Sequence, residues 1–396
     1  MRRLRVTTVA ALLLAWSAPP ASAQSVELVE RSTPGWVLTP TVALGITFDS
    51  NPVLTAQGDP APNDLLTRAR PGLDLSFNGR HTTLSGAYRG NLLRYRTLTE
   101  YDTYDQGGSL QLRHRPSRRV DLFARSSLVI SPATDILELA GVPFFRAGTR
   151  QVSAEAGTSV AAGRHVTLSG AYRFQTVDFD VANPEIAALL RGGEAHGLSL
   201  GLTRQLSTRV KVGASYGYQR ASYGATEGGF DIQNAEATIA VRLRPTVDLD
   251  AGAGFSRLAL PEDGVRTGPA GRVSLIKQTA HAQFSVSASR SFIPAFGFGG
   301  SVMNQDLTAG VQVPFARRRG TARASFSWRG SEPVLEQELA LTSVWLQTSV
   351  SYALQRWLRV EAFYSGAFQD TVVVGGRVNR HRTGVLFSTS APMRIQ

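Results

Sequence analysis

The chain has 396 residues, a net charge of +12, 38 glycines and no cysteine. Disulfides, a lipid-anchored cysteine and cysteine-based zinc sites are therefore excluded. The positive charge would permit nucleic acid as a partner, but the amino terminus argues against it, because it carries a secretion signal.

In chain order, Arg2, Arg3 and Arg5 form a basic start, Val9 to Trp16 a short apolar run, and Ala21-Ser22-Ala23 a patch of small residues. This order is that of a secretory signal peptide over residues 1–23, cleaved near Ala23, and the run is too short to cross a bilayer. Residues 24–36 read as a periplasmic N-terminal segment. No later stretch is apolar over the length of a membrane-spanning helix.

Over residues 37–396 the dominant signal is alternation with a period of two. Val210, Val212, Ala214, Tyr216 and Tyr218 alternate with Arg209, Lys211, Gly213, Ser215, Gly217 and Gln219, and the same holds over 235–244 and 322–329. Successive strand side chains point to opposite faces, so each segment has one apolar and one polar face. Tight, often basic turns fall near Asn78-Gly79-Arg80, Pro116-Ser117-Arg118-Arg119, Ala162-Gly163-Arg164, Ser207-Thr208-Arg209, Arg244-Pro245-Thr246, Gln278-Thr279, Arg317-Arg318-Arg319-Gly320 and Gln355-Arg356. Between them lie longer connections at 48–63, 97–101, 131–148, 179–193, 221–230, 259–266, 292–302, 330–336 and 370–378.

Short turns on one side and long loops on the other predict an all-β, antiparallel, up-and-down transmembrane barrel of about 18 strands in a bacterial outer membrane. The first strand falls near 37–47 and the last near 380–390; an even count puts both termini in the periplasm. A soluble sandwich also alternates, but its strands average roughly 5–6 residues, whereas these reach the membrane-spanning length of about 9–11. Tyr88, Tyr95, Tyr101 and Tyr104 near one loop, and Trp345, Tyr352 and Trp357 around one turn, read as interfacial girdles. The last strand carries Val385 and Phe387, yet the chain runs on through Pro392 to Gln396. The outer-membrane assembly machinery would therefore read an internal or atypical signal.

No constellation points to an enzyme. Gly213-Ala214-Ser215-Tyr216-Gly217 matches the hydrolase nucleophile elbow in letters, but that motif needs a strand–turn–helix context and here lies inside an alternating strand. The six histidines (His81, His114, His165, His196, His281 and His381) form no pair at metal-ligand spacing; His81, His165 and His281 recur after short turns and read as interface residues. No catalytic residue, metal or cofactor is expected.

Three features bear on transport. The 131–149 loop is long and partly apolar, and Asp135, Glu138, Phe144, Phe145 and Arg146 are candidates for an inward-folded constriction; a loop packed above the rim is the alternative. Asn183-Pro184-Glu185 to Leu190 reads as a short helix in another loop. With the apolar faces toward lipid, Arg89, Arg125, Arg173, Lys211, Arg242, Arg323 and Arg329 would line the lumen against Glu236 and Glu361. Such a bore is positive and concentrates anions, and a 16–18-stranded barrel is wide enough for water; alternatively these arginines pair with loop carboxylates and plug it. Arg118, Arg119, Arg164, Arg318 and Arg356 place cations in the periplasmic turns, a docking surface for an acidic partner.

Gly45-Ile46-Thr47-Phe48-Asp49-Ser50-Asn51-Pro52, the turn Pro116-Ser117-Arg118-Arg119 and the loop from Ser131-Pro132 to Gly148-Thr149 resemble outer-membrane β-barrel porins of the β-barrel porin 2 type, a family associated with exopolysaccharide secretion. The resemblance implies an 18-stranded conduit for a polysaccharide, joined to a periplasmic polysaccharide-export protein, with no catalytic residues. A general or anion-selective porin for small solutes, and a plugged structural barrel, are the alternatives.

Overall fold

The computed structural model describes residues 35–56, 61–134, 142, 144–181, 190–223, 229–260, 264–296, 300–334, 340–371 and 376–395. Residues 1–34, which include the signal peptide, lie outside this set, as do Asp135 and Glu138 and most of the short helix expected at 183–191.

The strands are β1 (Gly35–Asp49), β2 (Asp64–Asn78), β3 (Thr82–Tyr95), β4 (Thr103–His114), β5 (Val120–Ser131), β6 (Gly148–Ala161), β7 (Val166–Asp180), β8 (Gly193–Gln205) and β9 (Val210–Tyr223). They continue as β10 (Phe230–Arg244), β11 (Val247–Leu260), β12 (Gly264–Gln278), β13 (Gln283–Pro294), β14 (Ser301–Phe315), β15 (Gly320–Pro333), β16 (Leu341–Ala353), β17 (Leu358–Thr371) and β18 (Gly376–Ser390), with a short β19 (Met393–Ile395). β1 to β18 each pair antiparallel with their sequence neighbours in that series, and β1 also pairs with β18, Asp49 opposite Arg382 and Thr41 opposite Ser390. The sheet is thereby closed, which satisfies the backbone without helices. The first strand begins two residues earlier than the sequence predicts, so Gly35 and Trp36 belong to the barrel and not to a preceding segment.

Side-chain chemistry explains which face looks out. Val42, Leu44, Ile46 and Phe48 of β1, and Leu198, Leu200 and Leu202 of β8, are exposed, while the alternate residues Thr47 and Asp49 are buried. A barrel that exposes its aliphatic residues and turns its polar ones inward is built for a hydrocarbon surround. Its upper edge is marked by three outward pairs at similar height: Tyr88 Oη with Tyr104 Oη at 2.7 Å, Tyr172 Oη with His196 Nδ1 at 2.6 Å, and Tyr364 Oη with His381 Nδ1 at 2.8 Å. At the turn end the Trp36 ring meets that of Phe77 in a tilted contact at 4.8 Å, and Trp357 is exposed. Two residues expected in these girdles belong elsewhere. Trp345 sits on the inner face of β16, opposite Ser327 and Ala367, and is buried; Tyr95 is likewise buried on the inner face of β3. Both share strand parity with polar inward residues, which outranks their aromatic character.

The segment that follows β18 stays paired. After a break at Ala391-Pro392, β19 resumes pairing with β1, Ile395 opposite Trp36 and Met393 opposite Leu38. β18 and β19 thus run along β1 as one interrupted closing strand. Glycine is needed where neighbours crowd: a Cβ on Gly254 would overlap the carbonyl oxygen of Ala235 across the β10–β11 ladder.

One seam departs from the regular barrel. β12 pairs with β11 along its whole length but with β13 only from Gly271–Arg290 to Gln278–Gln283. Above that level β13 and β14 lean inward together. Phe292 and Met303, which strand parity would turn outward, are buried in a cluster with Val177, Ala195, Ala221, Ile232 and Leu258 on the inner face of the neighbouring strands β7–β11. The Phe292 N–H donates to Ser256 Oγ on β11 at 3.1 Å, and the Tyr223 hydroxyl donates to the Gly300 carbonyl. The split begins at the height where outward residues become polar (Gln233, Arg257, Thr267, Arg290), so the unpaired upper edge of β12 lies above the hydrocarbon level, where exposed backbone groups can meet water.

The candidate lumen and its mouth

The register puts Arg89, Arg125, Arg173, Lys211, Arg242, Arg323, Arg329, Glu236 and Glu361 on the inner face. It also supplies carboxylates that the sequence reading did not set against them. Arg89 Nη2 lies 2.5 Å from Asp74 Oδ1; Arg125 and Arg173 share Glu155 Oε2 at 2.6 and 2.9 Å; Arg242 meets Asp248 at 3.0 Å and Arg329 meets Asp306 at 2.6 Å. Glu236 is held by Arg272 at 2.7 Å. Arg323 donates to Gln312 Oε1 at 3.2 Å. The cationic excess of seven positions over two is therefore largely cancelled by cross-strand ion pairs, which come from the wall itself and not from loop carboxylates.

A second cationic cluster, absent from the sequence reading, arises where the barrel closes. Asp49, fully buried at the loop end of β1, accepts from Arg380 Nη2 at 2.6 Å and from Arg382 Nε at 3.2 Å, both on β18. Arg68 on β2 is buried nearby, with Arg70 and Arg382 as like charges and Asp105 and Asp49 as opposite ones. Its guanidinium lies over the Phe363 ring at 5.4 Å. Arg70 Nε donates to Asn91 Oδ1 at 3.4 Å, and Asn91 in turn to Asp105 at 2.7 Å. Four guanidiniums on β18 and β2 thus face the buried Asp49 on β1 and the half-buried Asp105 on β4, with Glu361 on β17 as a further opposite charge near Arg70.

The β5–β6 loop folds across the mouth. Its neck is closed by Thr134 N–H to the Phe145 carbonyl at 3.0 Å and Phe145 N–H to Thr134 Oγ1 at 2.7 Å. Beyond it, Phe144 N–H donates to Gln369 Oε1 on β17 at 2.6 Å, and Gln369 Nε2 donates to the Val142 carbonyl at 3.0 Å and to Ser343 Oγ at 2.9 Å. The Phe144 ring meets Trp345 at 5.8 Å in a cluster with Leu54, Ala367 and Val378. β17 stands six strands around the ring from β5, so this is a crossing and not a local packing. Phe145 packs instead on Ala147 and Leu190. Arg146 reaches back over Tyr101 at 4.8 Å and donates to the carbonyls of Pro52 and Tyr101 at 3.2 and 2.7 Å, tying three loops together. Beside it the β3–β4 loop is fixed by Asp102, which accepts from Arg94 Nη1 at 2.8 Å and from Tyr95 N–H at 2.7 Å; those two donors hold its carboxyl below the usual range.

Arg118, Arg119, Arg164, Arg318 and Arg356 all lie in the short turns at the end opposite the crossing, the end where β1 starts and β19 finishes. Arg317 there adopts φ 55°, within a tight 3-10 turn. The Gly213–Gly217 segment is mid-strand in β9, with Ser215 opposite Glu236 and Gly201. Among the described residues no three His, Asp or Glu side chains gather as metal ligands.

No protein-family model and no curated protein matches the sequence. Among solved structures the chain is similar to Pseudomonas aeruginosa OpdK, solved with vanillate (9% identity, 90% of this chain and 99% of that one, TM-score 0.46). It is similar to Acinetobacter baumannii OccAB3 (9% identity, 90% and 99%, TM-score 0.46) and to the P. aeruginosa siderophore receptor PirA (9% identity, 91% and 81%, TM-score 0.44).

Proposed function

We propose that the protein is an integral outer-membrane channel, exported by its signal peptide, through which small anionic solutes diffuse. The observation that carries this reading is the mouth: a loop pinned from β5–β6 to Gln369 stands above a wall in which Arg68, Arg70, Arg380 and Arg382 gather. A crossed mouth limits the size of what enters, and fixed guanidiniums in a low-dielectric wall favour anions. Phe144, buried against Trp345, anchors the crossing to the wall, and Arg146 is its strut. Single-channel recording of the full-length protein in a planar bilayer, in a salt gradient, tests this: a reversal potential on the anion side is expected, and a cation-side or absent current would refute it.

A second reading, a conduit that passes an exopolysaccharide from a periplasmic export protein, rests on the arginines clustered in the short turns, which would receive an acidic partner surface. It also requires the crossing loop to undock, since an extended sugar chain needs an open mouth. Deletion of the gene should then abolish surface polysaccharide; undiminished polysaccharide would remove this reading and leave the diffusive channel.

A further inference from the structure

Resting on the reading of the lumen as an anion-favouring path, we infer that its wall carries a built site for a hydroxylated carboxylate, the chemistry of a sugar acid. The seat for the carboxylate is Arg68, Arg70 and Arg382, and a ramp of neutral polar side chains on β13–β17 takes the hydroxyls.

Arg68 lies on the inner face of β2 opposite Gly45 and is 4% exposed, yet its Nε has no hydrogen-bond acceptor. On β1 the neighbouring Thr47 hydroxyl, also buried, is without a partner. Buried donors in folded proteins are met as a rule. Asp49 cannot meet this one, because it already accepts from both Arg380 and Arg382. An acceptor delivered from the lumen fits: a carboxylate presents several lone pairs to more than one guanidinium at once.

Register extends the seat into a path. Arg382 pairs with Ser365, Ser365 with Gln347, Gln347 with Ser325, Ser325 with Gly310, and Gly310 with Ser285. All are inner-face positions about 4.8 Å apart from strand to strand. Because barrel strands tilt, such a row climbs the wall. Ser285 is near the short-turn end of β13, whereas Asp49, next in the row after Arg382, is the last residue of β1 at the loop end. Ser325, Gln347 and Ser365 make no side-chain hydrogen bond among the described residues, so their donors and acceptors are open to a solute. A parallel row, Ser287, Thr308 and Ser327, widens the ramp. A bare anion uses only the seat, an apolar carboxylate gains nothing from the ramp, and a neutral sugar gains nothing from the seat.

The test uses the full-length protein in planar bilayers with D-glucuronate, cyclohexanecarboxylate (equal ring and charge, no hydroxyls) and chloride. Wild type should pass glucuronate over cyclohexanecarboxylate by about tenfold, the worth of roughly one to two hydrogen bonds. The triple variant Ser325→Ala, Gln347→Ala, Ser365→Ala should bring that ratio near one, while Arg68→Gln should slow both organic anions. Heat-modifiable gel migration checks that each variant is a folded barrel; if Arg68→Gln is not, the triple variant decides. Equal passage in wild type, or an unchanged ratio in the triple variant, overturns the sugar-acid site and leaves the anion channel standing. Loss of anion preference for chloride in wild type overturns the channel reading beneath it. A monomeric sugar acid and a uronate-bearing polysaccharide share this chemistry: block by a uronate oligomer assigns the site to the polymer, and passage of glucuronate without oligomer block assigns it to the monomer.

Discussion

Replacing Gln369 by leucine should release the crossing loop. The side chain is 1% exposed, accepts Phe144 N–H at 2.6 Å and donates to the Val142 carbonyl at 3.0 Å. Leucine keeps the volume on β17 but leaves two loop backbone groups buried without partners, each at a cost of about 1–3 kcal/mol. The docked state then loses about 2–6 kcal/mol. What still holds it is burial of the Phe144 ring on Trp345, worth about 1.5–3 kcal/mol, together with the Arg146 contacts to Pro52 and Tyr101. The penalty is of the same order as the Phe144 anchor, and at about 1.4 kcal/mol per factor of ten the docked-to-undocked ratio falls at least about thirtyfold. Single-channel recording of Gln369→Leu should show a larger conductance with added open-channel noise, while heat-modifiable migration stays that of the wild-type barrel. Conductance and noise identical to wild type would refute the claim that this crossing narrows the mouth.

Three further outcomes are expected. Glu155→Gln removes the carboxylate shared by Arg125 and Arg173; the reversal potential in a salt gradient should move further to the anion side, and no movement would mean that this pair lies off the path. Phe292→Ala empties the inward face of the β13–β14 hairpin, a loss of about 3–5 kcal/mol for a buried phenylalanine. Amide hydrogen exchange over 291–303 should then quicken more than over β8 and β9, whereas uniform exchange would show that the hairpin is not held by that contact. Asp102 is depressed by its hydrogen bond from Arg94 and then by that from Tyr95 N–H, below its ordinary value of 3.8. Its contribution is therefore complete above that value and is lost as pH falls through the lowered one. Exchange of the Tyr95 amide should accelerate only at the acid extreme and lose this dependence in Asp102→Asn; an acceleration near neutral pH would contradict the assignment.

The barrel was legible because its physics is written locally. Alternation over segments such as 210–219, punctuated by Gly, Pro and Arg turns, gives strand number, connection lengths and face without knowledge of any partner. The electrostatics of the lumen were not, because they depend on register. Arg125 and Arg173 carry no sign in the sequence that both lean on Glu155. The Asp49–Arg380–Arg382 cluster joins residues more than 300 positions apart that meet only because the first and last strands close the ring. Trp345 and Tyr95 mark a different limit. Their aromatic side chains fit a membrane interface by composition, yet parity with Gln347 and Ser349, and with Asn91 and Arg89, turns them inward. The loop around Phe144 carries a signal in its apolar content, but the glutamine that catches it lies 225 residues away. The inward lean of β13 and β14 has a weaker mark: Phe292, Phe296 and Met303 make that hairpin tip unusually apolar for a loop end.

The most direct test of the account is the zero-current potential of the reconstituted full-length protein across a tenfold gradient of potassium chloride. A steady conductance reversing on the chloride side is the predicted result, since the fixed guanidiniums on β18 and β2 outnumber the carboxylates that neutralise them. A potential on the potassium side, or a bilayer that stays silent with folded barrels inserted, would contradict it.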